Sequence, residues 1–215
     1  MSKGKVGVIG SGQVAQVLAK GFAKKGWDVR IGTREPSKLA AFSAESGIAA
    51  ATFAETASHG EVLVLAVKGL VAEEAVKLAG DGMNGKLVLD ATNPIANGPP
   101  VDGILQFFTG PNDSLMERLQ KARPEARFVK AWSCVGNAFM VDPQFPGGPP
   151  TMFVCGDDDA AKTKAKEILR DFGWDTEDVG KATGARAIEP LCQLWCAPGM
   201  QRGQWTHAYK VLRLG

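Results

Sequence analysis

A run of six residues near the amino terminus has the types and spacing to do chemistry. Gly10-Ser11-Gly12-Gln13-Val14-Ala15 fits G-x-G-x-x-A, a pattern that suits a dinucleotide pyrophosphate for physical reasons. Gly10 permits a tight turn. Gly12 has no side chain to hold phosphates away from the backbone, and Ala15 is small enough for a helix to pack closely on a strand. The match is short, so its context decides. An apolar run precedes it and a helical pattern follows, so the helix N-terminus would offer free N–H groups and partial positive charge to the phosphates. A second group lies about 20 residues on, where a site for NAD would place an acid against the ribose hydroxyls. Here the residues are Gly32-Thr33-Arg34, with Lys38 one helical turn beyond. A hydroxyl, a guanidinium and an ammonium suit a 2′-phosphate, which points to NADP(H) rather than NAD. Glu35, between Arg34 and Pro36, is expected to turn outward.

These residues need strands to carry them and helices to flank them. Lys-Val-Gly-Val-Ile-Gly at 5–10 reads as a buried parallel strand. Val14, Val17, Leu18 and Phe22 fall at helical spacing over 13–25, and Gly26 is placed to end that helix. Val29 and Ile31 mark a second strand, and Pro36 opens the next helix. A short third strand is expected at 48–52, with a short helix after it. Glu61–Val67 and Lys86–Asp90 are further strands, separated by a helix over Val71–Leu78 that Gly80 and Gly82 end. Such alternation predicts an α/β fold: a Rossmann-type, doubly wound parallel sheet with right-handed crossovers. The Gly- and Pro-bearing stretch Asn93–Asn112 reads as a long loop of the kind that often carries function. A helix begins at Ser114, a strand covers Phe128–Trp132, and a second Gly/Pro cluster spans Pro143–Pro150. Met152–Cys155 is a strand, followed by a helix to about Phe172 whose N-terminus carries Asp157, Asp158 and Asp159. Those carboxylates read as helix caps rather than a metal site. A last helical region covers 183–197, Pro198-Gly199 breaks it, and a short helix is expected to close the chain. Residues 1–132 are assigned to the nucleotide-binding domain, and residues 133–215 to a small α/β domain that completes the site.

The composition narrows the function classes. The chain has 215 residues, 45% hydrophobic and 22% charged, with a formal net charge of +2. Those proportions are globular, and the balanced charge offers no broad field for nucleic acid or a membrane surface. There is no apolar run long enough to span a bilayer and no signal-peptide pattern, so a cytoplasmic protein acting on a small molecule is expected. Cys134, Cys155, Cys192 and Cys196 form no C-x-x-C pair or disulfide framework. Cys192 and Cys196 share a helix face with Leu191, Leu194 and Trp195, which reads as core or dimer interface rather than metal site. His59 and His207 are the two histidines, and both read as surface or packing residues. No nucleophile–base constellation stands out and no catalytic side chain is assigned. Hydride transfer between stacked rings needs none, only position, orientation and exclusion of water.

The sequence resembles the F420-dependent NADP oxidoreductases, a domain type also present in the STEAP ferric reductases. The N-terminal glycine motif and Gly32-Thr33-Arg34 carry the likeness. It continues through Asp90-Ala91-Thr92-Asn93-Pro94, Val129-Lys130-Ala131-Trp132 and Val154-Cys155-Gly156-Asp157-Asp158, then Ala185–Leu191 and Ala208–Arg213. The resemblance implies reversible hydride transfer between NADP(H) and a second ring, coenzyme F420, FMN or FAD. It implies that Ser11, Gly12, Gln13 and Val14 hold the pyrophosphate, and Thr33, Arg34 and Lys38 the 2′-phosphate. Val67, Val71, Asn93, Pro94 and Ile95 would line the nicotinamide half, with Gly136 and Asn137 under the reacting ring. It also points to a homodimer through the C-terminal part, where Leu191, Leu194, Trp195, Met200 and Trp205 gather apolar bulk. Two site loops depart from the family. Lys68-Gly69 stands where Pro-Trp is frequent, and Ala131-Trp132-Ser133-Cys134 where Ala-Phe-Asn-Thr is frequent. Both border the second ring, so the acceptor stays open. The alternatives are a non-enzymatic NADP(H) sensor, and an imine or carbonyl reductase with Ser133 or Lys68 as its proton donor.

Overall fold

The computed structural model describes residues 3–214. In chain order, β1 (Lys5–Ile9) leads into α1 (Gln13–Lys24), and β2 (Asp28–Gly32) into a 3-10 turn at Pro36–Leu39 and α2 (Ala40–Ser46). Next come β3 (Ala49–Ala51), α3 (Phe53–His59), β4 (Val62–Leu65) and α4 (Ala72–Ala79). β5 (Leu87–Asp90) runs through a long loop into α5 (Leu115–Ala122) and then β6 (Arg127–Lys130). These strands form one six-stranded sheet in the order β3-β2-β1-β4-β5-β6, and every neighbouring pair is parallel. The chain works outward from β1 to β3, then returns to place β4 on the other side of β1. That reversal opens a crevice above the carboxyl ends of β1 and β4, where doubly wound sheets bind ligands. The expected Rossmann-type α/β architecture is therefore present.

Local chemistry explains the elements. β4 and β5 are buried at every residue, as strands covered on both faces must be. Thr52 and Glu55 form a reciprocal capping box at the start of α3. Ser114 accepts the Glu117 N–H at the start of α5, within the helix boundary expected from the sequence. The Asn93–Asn112 stretch holds neither helix nor strand, but it is pinned by single bridges pairing Ile95 with Phe107 and Val101 with Ile104.

The rest of the chain adds β7 (Thr151–Val154), α6 (Asp159–Asp171), β8 (Asp175–Asp178), α7 (Ala185–Ile188) and α8 (Pro190–Arg202). β7 and β8 pair in parallel. The Lys130 N–H donates to the Cys155 carbonyl at 3.0 Å, laying the end of β7 beside β6. One apolar core crosses from the large sheet into this part: Phe22 of α1 packs on Phe172 with centroids 4.6 Å apart, and Trp132 on Phe172 at 5.4 Å. The acidic run divides its work. Asp158 accepts the Ala161 N–H as the α6 cap, Asp157 accepts the Ala182 N–H, and Asp159 pairs with Lys162. No described helix is long and apolar enough to cross a membrane.

Three expectations for the C-terminal part are corrected. β8 was not expected, because Asp-Thr-Glu-Asp is polar throughout; it forms as a partly exposed strand beside β7. Pro198-Gly199 does not break the last long helix, since α8 continues to Arg202. Pro198 can serve no carbonyl one turn back, but Leu194 there is 59% exposed, so its carbonyl can turn to water. Finally, residues 203–214 are not helical. Gly203, at φ +69°, ends α8, and the chain returns along β7, where the Thr151 N–H donates to the Tyr209 carbonyl at 2.8 Å.

A fully buried ion cluster ties these parts together. Lys130 Nζ lies 2.7 Å from Asp90 Oδ2 and 2.9 Å from Glu189 Oε1, all three side chains at 2% exposure or less. It also donates to the Thr92 carbonyl at 3.0 Å. Burial opposes the ammonium, but the two carboxylates outweigh it and raise its pKa. Glu189 accepts the N–H groups of Leu115 and Met116, each at 3.0 Å, and so caps α5 from outside the helix. Lys130→Met would leave two carboxylates buried without their cation. We expect it to lower unfolding stability by about 3–5 kcal/mol in urea denaturation; a loss within the range of an ordinary surface substitution would show that the cluster is not what holds these elements.

Candidate functional site

The carboxyl ends of β1, β2 and β4 surround a cleft of about 310 Å³. Gly10, at φ +141°, makes the turn out of β1. A Cβ there would lie 2.2 Å from the Ala66 carbonyl oxygen, so the turn must be glycine for its own packing. Gly12 is the opposite case. A Cβ there would meet nothing within 4 Å, so its missing side chain leaves open space at the mouth of α1. That helix starts with no side-chain cap and no acid in its first turn, so its first N–H groups face no competing carboxylate there. Bare backbone, free donors and the positive end of a helix fit a pyrophosphate. Ser11 is fixed through its carbonyl, which accepts from Gln16 Nε2 at 2.9 Å.

The second group closes the far end. Thr33 is buried and its N–H donates to the Ala51 carbonyl at 3.0 Å, pinning the end of β2 to β3. Arg34 and Lys38 are exposed and line the cleft. Both already have anionic neighbours. Lys38 Nζ lies 2.9 Å from Glu35 Oε1, and an Arg34 guanidinium nitrogen lies 3.8 Å from Glu74 Oε1. Glu35 therefore does not turn away: it lines the cleft with its basic neighbours and pairs with Lys38.

Of the residues picked out from the sequence, Gly10, Ser11, Gly12, Thr33, Arg34, Lys38, Val67 and Val71 meet in this cleft. Gln13 and Val14 form the first turn of α1 without lining it. Lys68, read from the sequence as part of a site loop after β4, also lines the cleft, whereas sequence reasoning missed Ala66 after β4, Phe53 on α3, and Glu74, Ala75 and Leu78 on α4. The α4 residues were legible in principle, since with Val71 they recur three and four apart and so share one helix face.

Asn93, Pro94, Ile95, Gly136 and Asn137 sit on the loops after β5 and β6, outside the lining of that cleft. The two loops are joined: Asn93 Nδ2 donates to the Ser133 carbonyl at 2.7 Å. Asn93 Oδ1 and Ser133 Oγ are buried with no hydrogen-bond partner among the described residues. Pro94 accepts the Phe108 N–H at 2.9 Å, and Ile95 is held by its bridge to Phe107. Asn137 opens a single 3-10 turn. The bare face of Gly136 is already taken, because a Cβ there would lie 2.4 Å from the Trp195 ring. Gly136 thus does receive a flat ring, but it is the protein's own indole from α8. The turn begins on Trp132, at φ +56°, a region that a bulky residue enters only under constraint. Here the constraint is burial against Phe22 and Phe172, and a bond from its indole N–H to the Met140 carbonyl at 3.1 Å.

The thiols and imidazoles sit in packing roles. Burial pushes the Cys134 thiol up to about 12, which keeps it protonated and unreactive at neutral pH. His207 stacks on Trp195 with centroids 5.0 Å apart, and His59 rests against the Asp28 carbonyl at 3.3 Å.

Comparison with known proteins agrees with this geometry. Residues 5–94 match the model of a family described as coenzyme F420-dependent NADP oxidoreductase. A solved putative F420-dependent NADP reductase from Arthrobacter sp. FB24 is 32% identical, with a TM-score of 0.91 over 98% of this chain and 100% of the other. The chain belongs to the F420-dependent NADP oxidoreductase family. Rat metalloreductase STEAP3 is 30% identical over 188 residues, which is 87% of this chain but 36% of that protein, so this family member spans about a third of its length. An imine reductase variant from Myxococcus stipitatus, solved with NAD+, is 20% identical with a TM-score of 0.67, covering 90% of this chain and 61% of that one; it shares the fold. The family is one of NADP-dependent oxidoreductases.

The two motif glycines separate stability from binding. Gly12→Val should leave thermal stability close to that of the parent and abolish NADPH binding, since the branched side chain enters the cradle. Gly10→Ala should instead lower the melting temperature, since its Cβ meets the Ala66 carbonyl. Calorimetric titration and thermal melts of both variants check this. Normal NADPH affinity in Gly12→Val would mean the loop is only a turn.

Proposed function

We propose that the protein binds NADP(H) along the cleft and positions its nicotinamide for hydride exchange with a deazaflavin or flavin ring, coenzyme F420, FMN or FAD. The observation that carries this reading is the paired geometry of the cleft. An unobstructed helix N-terminus stands at one point of it, and a hydroxyl with two cations stands at the other. Ser11, Gly12, Gln13 and Val14 would hold the pyrophosphate, and Thr33, Arg34 and Lys38 the 2′-phosphate. Val67 and Val71 lead from the phosphate cradle toward the loops of Asn93–Ile95 and Gly136–Asn137, where the reacting ring would sit beside Asn93 and Asn137 rather than on the face of Gly136, which Trp195 covers. When bound, the nicotinamide supplies the hydride chemistry. The chain's own work is orientation and exclusion of water. The Asn93–Ser133 link fixes the two loops relative to each other, and the ion cluster of Lys130 fixes the strand ends beneath them. On this reading residues 1–132 form the nucleotide-binding domain, and residues 133–215 complete the site.

The test combines binding and turnover. Arg34→Ala should weaken NADPH by about 1.5–3 kcal/mol, the cost of a charge-assisted contact, and leave NADH nearly unchanged. Equal losses for both cofactors would remove Arg34 from the 2′-phosphate site. NADPH oxidation should then be assayed with F420, FMN, FAD and a panel of imines and carbonyls. Tight NADPH binding with no turnover on any acceptor would replace the enzyme with a sensor.

We also propose a homodimer through α8. Trp195 proves to be a core residue at 6% exposure, but Leu194 is 59% exposed, Met200 46% and Trp205 38%. α8 is apolar on more faces than its own chain covers, and such patches mark interfaces. Light scattering at tens of micromolar should give twice the chain mass, and a monomer at that concentration would refute the dimer.

A further inference from the structure

The carboxylates at the 2′-phosphate end of the cleft have no role in the reading above, and they bear on which cofactor the chain prefers. Glu35 lies three residues beyond the end of β2 at Gly32, close to the place from which an acid receives ribose hydroxyls in sites for the unphosphorylated cofactor. It lines the cleft and lies 2.9 Å from Lys38. Glu74 comes from α4 across the cleft and lies 3.8 Å from Arg34. Both cations that would meet a 2′-phosphate therefore already face a carboxylate. A phosphate must draw them away, and it must do so close to two negative charges. An unphosphorylated ribose faces neither cost, and it finds an acceptor in Glu35.

We propose that Glu35 and Glu74 set the cofactor preference of this site: both weaken NADP(H), and Glu35 in addition accepts the ribose hydroxyls of NAD(H). The preference for NADP(H) over NAD(H) is then narrower than Thr33, Arg34 and Lys38 alone would give. The inference rests on the dinucleotide reading of the cleft and deepens it. The two carboxylates differ in kind. Glu35 lines the cleft on the β2 side, beside the position of a ribose-binding acid, whereas Glu74 on α4 would act only through Arg34 and its own charge. The side chains of Glu35 and Glu74 are 61% and 55% exposed, so replacing either leaves the core untouched.

The experiment measures Kd for NADPH and for NADH, by calorimetry, on the wild-type chain and on Glu35→Gln and Glu74→Gln, with melting temperatures as a check on folding. Each substitution should tighten NADPH by about three- to fivefold, the size of one exposed ion pair, and the gain should shrink as salt rises. Glu35→Gln should also weaken NADH, moving the ratio of the two affinities toward NADPH by about fivefold or more. Glu74→Gln should leave NADH where it was. A smaller movement of the ratio in Glu35→Gln, or a movement toward NADH, overturns the proposal while the dinucleotide site stands. An equal loss of NADH in Glu74→Gln also overturns it, because the effect of Glu35 would then be one of general charge rather than contact. Wild-type protein that binds neither cofactor would overturn the reading of the cleft itself.

Discussion

One buried ammonium holds together the strand ends beneath the loops of the candidate site. Lys130 ends β6, Asp90 ends β5, and Glu189 stands between α7 and α8, so their contacts at 2.7 and 2.9 Å fasten three separate stretches of chain at one point. The charges do not cancel among themselves, since two carboxylates face a single cation. The surplus negative charge is met by the first N–H groups of α5, which donate to Glu189, at the positive end of a helix. Thr92 completes the arrangement: its N–H and hydroxyl donate to Asp90 while its carbonyl accepts from Lys130. A cluster of this kind is a poor source of net stability compared with apolar packing. What it provides is a fixed geometry, because each oxygen has a named partner and little freedom to choose another.

That geometry passes directly into the site loops. Asn93 follows Thr92 in sequence and donates across to Ser133, so the loop after β5 is fixed to the loop after β6. The second loop is held from the other side as well. Trp132 keeps its left-handed backbone because Phe22 and Phe172 enclose its ring, and Gly136 lies against Trp195 of α8. The strain at Trp132 and the unpartnered oxygens of Asn93 and Ser133 occur within one small region. Each costs of order a kcal/mol or more. Such costs are characteristically kept where a site must present atoms in a set arrangement.

Legibility in the sequence followed burial. β4 and β5 could be read because a parallel strand covered on both faces must be a continuous apolar run, and the glycine motif because its turn and its helix follow such a run. β8 could not be read, since an edge strand of Asp-Thr-Glu-Asp carries no apolar signal and is set by its pairing with β7. α8 misled for the opposite reason. It is apolar on several faces, so no periodicity marked its extent, and the Pro198 signal stopped it short of Arg202. In the site, motif residues on local turns were found, whereas Glu74 and Leu78 reach the cleft only through the packing of α4. Arg34 and Pro36, beside Glu35, misled as to its orientation, whereas its pairing with Lys38 three residues on was the signal to weigh.

The two ends of the site are thus built on different principles. At the loops after β5 and β6 the protein presents backbone and half-buried or buried side chains, tied to the buried Lys130 cluster and to Trp132 and Trp195. Such precision suits hydride transfer, whose rate depends on the distance and angle between two rings. Around Arg34 and Lys38 the cleft presents long, exposed side chains in pairs of opposite charge, and these can exchange partners at small cost. On the proposed reading, recognition there would concern which group the cations face, not a distance to be held. On the same reading, exposed charges on the β2 turn and α4 would tune the choice of cofactor without disturbing the buried cluster beneath the loops after β5 and β6.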